Sequence, residues 1–374
     1  MTLSEIIAQV DSILRPFVSK LPPELVSTIY SSGRKLFLQL LVSETPHISY
    51  TPPPILSRKL WGIEFKSPLF NAAGMFKHGE GYRLVAAQGA GAYLAGTSTC
   101  QPRRGNEKNG IIHPFIAYSK SHASSNWIGL PNDGHAELAR CLSRIEKAEA
   151  CPVGVSVAAS PGQSDKEALK GLLEGLNLFD KAGVDFIELN ESCPNVPHPQ
   201  NIDKTTGLDL HLIERLEFIN KNFISCKRRN LPIIVKFSVD TCNKHLPALM
   251  DILFDNKFDG VNFGNTSTDY ELMQKMISPD DIKLFEYFTT QFGGGVSGTP
   301  LKQKSFELAS QAVSLISGKT PADEFYVIRT GGIENITDIN RSESAGIALN
   351  QWFTGYFEAF ARKGHRLYSF LDEY

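Results

Sequence analysis

Apolar residues recur at helical spacing from the first turn of the chain: Ile6, Ile7, Val10, Ile13, Leu14, Phe17, Val18 and Leu21. After a break at Pro22 and Pro23 they resume with Leu25, Val26, Ile29, Tyr30, Leu36, Phe37, Leu40 and Leu41. Steps of three and four residues place side chains on one stripe of an α-helix, so residues 1–50 are predicted to form two amphipathic helices. Lys20, Arg34 and Lys35 fall on or near their polar sides. Such stripes suit a helix pair lying in a membrane interface and equally a hairpin packed on its own domain, and periodicity does not separate the two. Residues 43–56, with Pro46, Pro52, Pro53 and Pro54, read as an extended linker.

From Leu60 the pattern changes to alternation of short apolar runs with helix-like stretches. The runs are Leu69–Ala73, Ala92–Gly96, Val153–Val157, Phe186–Leu189, Ile233–Phe237, Gly260–Phe263, Phe325–Thr330 and Gly346–Trp352. Runs without polar alternation are strands buried on both faces, and eight of them separated by helices predict a parallel (β/α)8 barrel, the TIM barrel, with an amino-terminal helical extension. The chain then divides into a helical hairpin, residues 1–50, and a barrel domain, residues 51–374. An open doubly wound sheet is the runner-up, but it calls for an early G-x-G-x-x-G opening the first helix, which is missing. About sixty residues separate the sixth and seventh runs, a length typical of a lid or an added site loop.

Composition narrows the function classes. A net charge of −2 and a hydrophobic fraction of 42% describe a soluble globular protein with no basic face for nucleic acid. The six cysteines, at 100, 141, 151, 193, 226 and 242, form neither a CxxC pair nor a metal-like cluster with histidine, so they read as reduced thiols of an intracellular protein without a metal site. No apolar run approaches the ~20 residues of a membrane span, and the amino terminus lacks a signal-peptide pattern.

Candidate chemistry concentrates in DFIELNESCPNVPHPQ, residues 185–200. The strand's apolar character stops at Leu189, and Asn190, Ser192, Cys193 and Asn195 follow at once. Pro194 and Pro197 restrict the backbone around them, which aims the Cys193 thiol in a set direction. A lone cysteine is usually a small buried hydrophobe. Two amides and a hydroxyl beside it, at a strand's carboxyl end where barrels keep catalytic groups, favour function. Lys236, inside an otherwise apolar strand, needs a carboxylate or an anionic ligand as partner. Glycine clusters at 293–298 and 331–332 can turn backbone N–H groups towards a phosphate, and barrels often hold phosphate after the seventh and eighth strands.

Taken in order, NAAG-x-x-K (71–77), GTST-x-x-P-x-x-GN (96–106), SNWIGLPN (125–132), ELNESCPN (188–195), VKFS (235–238), GNTS (264–267), GGVSGTPL (294–301) and TGGI (330–333) resemble the dihydroorotate dehydrogenases, FMN barrel enzymes that oxidise dihydroorotate to orotate in pyrimidine synthesis. The likeness runs from about Leu60 to Gly364. The cysteine motif resembles the soluble class, whereas the paired helices, Lys77 and the GTST turn look like the membrane-associated, quinone-reducing class.

The resemblance implies that Cys193 is the base that takes the C5 proton while a hydride leaves C6. Lys77, Asn126, Asn190, Asn195, Asn265, Thr266 and Ser267 would hold the substrate. Ala73, Gly74, Thr97, Ser156, Asn190, Lys236, Ser297, Gly298, Gly331, Gly332, Phe353 and Thr354 would hold FMN, with the Lys236 charge facing the reduced flavin. Ser156, His113 and Phe353 depart from the quinone class, which usually has Asn, Arg and Tyr there; Trp127 within its loop and Ile328-Arg329 before the glycine pair are also unusual. The implied acceptor is a quinone, and the implied place is cytoplasmic, peripheral on the inner face of a membrane. A fumarate-type soluble acceptor, a different pyrimidine-like substrate and a non-catalytic paralogue are the alternatives.

Overall fold

A computed structural model describes residues 1–44, 49–191, 203, 206–317 and 324–374. The eight predicted runs are eight strands: β1 (Leu69–Asn71), β2 (Tyr93–Ser98), β3 (Val153–Val157), β4 (Phe186–Asn190), β5 (Ile233–Phe237), β6 (Gly260–Phe263), β7 (Tyr326–Thr330) and β8 (Leu349–Trp352). They pair in parallel in sequence order, with β1 beside β8. Strand β5 shows why: all of Ile-Ile-Val-Lys-Phe is buried, as a strand covered on both faces must be. Between β1 and β2 the ring closes through a few bonds. Gly74 N donates to Gly96 O at 2.7 Å, and the Asn71 amide stands in for missing backbone, bonding both Leu94 O (2.8 Å) and Leu94 N (3.2 Å).

Side chains fill the barrel in layers. At its amino-terminal end, a hairpin of Arg58–Leu60 and Ile63–Phe65 brings Trp61 and Phe65 against Phe70, Leu94, Phe186, Ile234, Ile328 and Leu349. Gly154 makes room for this plug, since a Cβ there would lie 2.2 Å from the Phe186 ring. Alternation along the strands then puts polar residues in the next layer towards the carboxyl end, where the site lies.

The described part of the long segment between β6 and β7 contains regular elements. It carries helices Tyr270–Met276 and Ile282–Gln291, then a strand, Gly295–Gly298, before helix Lys302–Ser317. That strand pairs antiparallel with Ala123–Asn126, which pairs with Phe115–Tyr118, so a three-stranded sheet stands over the barrel's carboxyl end.

Helices α1 (Leu3–Val18) and α2 (Pro23–Ser43) follow the predicted pattern. A capping box, Thr2 with Glu5, starts α1, and proline at the first helical position starts α2, where its missing N–H leaves nothing unsatisfied. Their orientation could not be read from periodicity. In α1 the small and polar stripe, Ser4, Ala8, Asp11 and Arg15, faces the protein, while Ile6, Ile7, Val10, Ile13, Leu14 and Phe17 are exposed. Arg15 pairs with Asp11 (2.6 Å) and with Glu358 on the helix that follows β8, and the Ser31 hydroxyl exchanges bonds with the Phe115 backbone. Arg34 belongs to the polar side as the sequence reads, and that side turns inward, because α2 docks through the stripe Ser27, Tyr30, Ser31 and Arg34.

Candidate active site

Two cavities meet at the carboxyl end of the barrel, and Phe353 and Thr354 belong to the walls of both. The inner one sits on the polar layer of the strands. Glu188 of β4, 1% exposed, accepts from Asn262 Nδ2 (2.8 Å) and Gln351 Nε2 (2.7 Å) through one oxygen, and its other oxygen lies 3.4 Å from Lys236 Nζ. Lys236 also donates to Gln351 Oε1 at 3.0 Å, and Thr330 Oγ1 bonds Asn262 and Gln351. The lysine partner expected from sequence is therefore a buried carboxylate. One of three ammonium protons goes to Gln351, and Lys236 itself lines the cavity, so its charge reaches the space above.

The residues singled out by sequence converge on this cavity. Ala73, Gly74, Lys77, Thr97, Asn126, Asn190, Lys236, Asn265, Thr266, Ser297, Gly298, Gly331, Gly332, Phe353 and Thr354 all line it, although they come from strand ends and loops spread over most of the chain. Ser156 and Ser267 stand behind the wall. Ser156 bonds Thr97 Oγ1 (2.9 Å), which in turn accepts from Asn190 Nδ2 (3.1 Å); Ser267 donates to Asp240 (2.6 Å). Trp127 packs towards Phe292 rather than into the cavity, and His113 bonds Arg104 O at 2.6 Å outside it. Ser192, Cys193 and Asn195 lie outside the described residues. Sequence reasoning missed Glu188, Asn262, Thr330 and Gln351 as a set. Their signal was present: each is a polar residue inside an apolar strand, at a position where a side chain must point inward.

One end of the cavity is shaped for a phosphate. The helix Thr354–Lys363 begins there with no side-chain cap, so its first N–H groups face the space. Opposite are Gly331 and Gly332; Gly332 has φ +70, and a Cβ on it would lie 2.5 Å from Lys302 Cα, so only glycine brings the backbone this close. Hydroxyls complete the end: Ser124 Oγ and Ser297 Oγ are 2.8 Å apart, and Ser297 Oγ is 3.1 Å from Thr354 Oγ1. The residues fit a phosphorylated cofactor.

The outer cavity lies between α1, α2 and the sheet. Its walls are apolar, with Ile7, Ile29, Phe37, Phe115, Phe353 and Phe357, and Ile7 and Ile29 belong to the exposed faces of the helices. Two polar groups project among them. Arg34 Nε is buried and has no hydrogen-bond partner among the described residues, and the buried Tyr30 hydroxyl lies beside the Arg15 guanidinium, with no acceptor for its own proton among them. Burial raises the Tyr30 pKa and lowers that of Arg34 to about 10, which keeps the phenol neutral and the guanidinium charged at neutral pH. Arg34 is steadied over the Phe115 ring at 5.6 Å.

Curated proteins of similar sequence carry the name dihydroorotate dehydrogenase (quinone). One from a Cyanothece species is 28% identical over 307 residues, covering 82% of this chain and 76% of the relative. Another, from a Nitratiruptor species, is 28% identical over 337 residues, covering 89% and 86%. Among solved structures, ligand-free DHODH from Eimeria tenella superposes with a TM-score of 0.74 at 20% identity, covering 91% of this chain and 92% of that one. The same protein bound to ferulenol gives 0.71, covering 91% and 89%. These structures speak for the fold. The dihydroorotate dehydrogenase family model matches residues 55–363, most of the chain, and the chain belongs to that family.

Proposed function

We propose that this protein oxidises dihydroorotate to orotate, holds FMN in the inner cavity and passes the electrons to a quinone that enters through the outer one. The observation that carries this reading is the shared wall at Phe353 and Thr354, which puts an apolar entry beside a polar, phosphate-shaped site. Bound FMN supplies the two-electron acceptor for the substrate hydride. Backbone at Gly298, Gly331, Gly332 and Thr354, with the hydroxyls of Ser297 and Ser124, suits its phosphate; Ala73, Gly74, Thr97 and Asn190 flank the rest of the space, and Ser156 supports it through Thr97.

The chain's own residues then divide the work. Lys236, fixed by Glu188 and Gln351, presents a positive charge where negative charge develops on reduction. Asn126, Asn190 and Asn265 offer donors and acceptors without net charge, which suits a pyrimidine ring, and Lys77 suits its carboxylate. Thr266 Oγ1 is buried with no partner among the described residues and is free to serve the same ring. Ser267 contributes by holding Asp240, and Asn195 completes the set on the strength of its motif. Cys193, three residues beyond the end of β4, is the proposed base; a thiol with a free pKa near 8.5 serves once its surroundings favour thiolate.

The acceptor follows from the outer cavity. Quinone carbonyls are acceptors only, and Tyr30 and Arg34 offer donors in an otherwise apolar passage. No helix among the described residues is long and apolar enough to cross a membrane. The exposed stripe of α1, ending in Ile13 and Phe17 at 68% and 66% exposure, instead suits a helix lying in the lipid interface, from which a hydrophobic quinone would enter. The test is anaerobic. Dihydroorotate should bleach the yellow of the purified protein and a hydrophobic quinone should restore it; a colourless protein, or recovery with fumarate alone, would overturn the reading.

A further inference from the structure

We infer that Arg329 is a positioning residue for the cofactor's phosphate, a buried positive charge set beneath the Gly331-Gly332 turn and matched to a dianion held above it. The inference rests on the flavin reading. Arg329 is the fourth residue of β7, directly before Thr330-Gly331-Gly332, and is fully buried. Ile328 and Thr330 point into the barrel, so Arg329 points out, between the strand and helices Lys302–Ser317 and Ile336–Ser344.

Its bonds all go to uncharged acceptors. Nε donates to Ser305 Oγ (3.2 Å), Nη1 to Ser342 Oγ (3.0 Å) and Nη2 to Lys302 O (2.9 Å). The nearby carboxylates, Glu334 and Asp338, both pair with Lys302 Nζ, Asp338 at 3.1 Å. With both carboxylates engaged by Lys302, neither forms an ion pair with Arg329. The Phe306 ring centroid lies 5.4 Å from the guanidinium. A buried charge with no carboxylate bonded to it is expensive even with Asp338 nearby, and a neutral residue could tie strand to helix without that penalty. Burial lowers the Arg329 pKa to about 10, so it remains charged at neutral pH.

The connection to the turn is direct. Ser305 Oγ, which accepts from Arg329, donates to Gly331 O at 2.8 Å, and Lys302, whose carbonyl accepts from Arg329, is the residue against which Gly332 closes. Charge and turn therefore share the same first helical turn as their base, and a buried charge is screened less than a surface one.

Riboflavin, which lacks the phosphate, separates charge from scaffold. Flavin affinity of the full chain, measured by fluorescence quenching after flavin removal, should fall about tenfold for FMN in Arg329→Met while riboflavin affinity changes less than threefold. Asp338→Asn, which adds one net positive charge, should shift the FMN-to-riboflavin preference the other way by about threefold, and gives an independent reading if the methionine variant does not accumulate. Equal losses for both flavins, or a preference unmoved in either variant, would make Arg329 scaffold only and leave the flavin reading standing. A wild-type chain that takes up neither flavin would remove both.

Discussion

The two cavities share a wall and solve opposite problems. In the inner one, Glu188, Lys236, Asn262, Thr330 and Gln351 bond one another, so the floor is held by its own side chains. The outer one also has a paired group, Arg15 with Asp11 and Glu358, at its edge, but the Tyr30 hydroxyl and Arg34 Nε find no acceptor among the described residues. A buried donor without a partner costs about 1–3 kcal/mol, so the outer cavity suits a ligand that brings acceptors, as the proposed quinone would. The inner site is preorganised for charge; the outer is apolar and selects by a few donors.

The comparison can be broken at its stiffest point first. Glu188→Gln leaves the Lys236 ammonium buried without its carboxylate, and urea unfolding should show a loss of about 3–5 kcal/mol. A loss under 1 kcal/mol would mean that the floor is not held by charge. Next comes Cys193→Ala, for which stopped-flow reduction of the flavin by dihydroorotate should slow by at least ~10²-fold with flavin still bound. Cys193→Ser should keep some activity with its profile moved to higher pH, because a hydroxyl is harder to ionise; an undiminished rate in the alanine variant returns Cys193 to packing.

The outer cavity gives smaller effects. Tyr30→Phe combined with Arg34→Met should raise the KM for a hydrophobic quinone about tenfold, the worth of hydrogen bonds to a charged donor, with the KM for dihydroorotate unmoved. Equal shifts in both constants would show that the helices act on the whole barrel. Smallest in stability is Ile13→Ser with Phe17→Ser on the exposed face of α1. Unfolding free energy should change by no more than about 0.5 kcal/mol, since neither side chain packs on the core, while co-sedimentation with lipid vesicles falls. Unaltered vesicle binding would overturn the proposed membrane contact through this face.

Much of the fold was legible because its signal is local. A strand buried on both faces must be apolar throughout, and the runs Val153–Val157, Ile233–Phe237 and Gly260–Phe263 were placed to the residue for that reason. Boundaries drifted where a strand leaves the ring: the last run was placed from Gly346, but β8 starts at Leu349, because the turn after helix Ile336–Ser344 uses Ala345 and Gly346. In the site, glycines and asparagines at strand ends were legible, since loops at that end of a barrel face one another. Ser156 and Ser267 could not be placed, because whether a short hydroxyl faces a ligand or a neighbour one layer back depends on rotations of a few ångströms.

Sequence by itself determined the strands, their order, the buried lysine's need for a partner and the stripes on α1 and α2, all consequences of solvation and periodicity along the chain. Tertiary structure alone decided that the partner of Lys236 is Glu188, 48 residues before it, and that Arg34 turns inward. It also decided that α1 docks by Ser4, Ala8 and Arg15 and leaves its apolar stripe outside. Periodicity says that a helix has two faces; which face meets the protein depends on the surface that receives it, here Glu358 and a sheet built from residues more than seventy positions away.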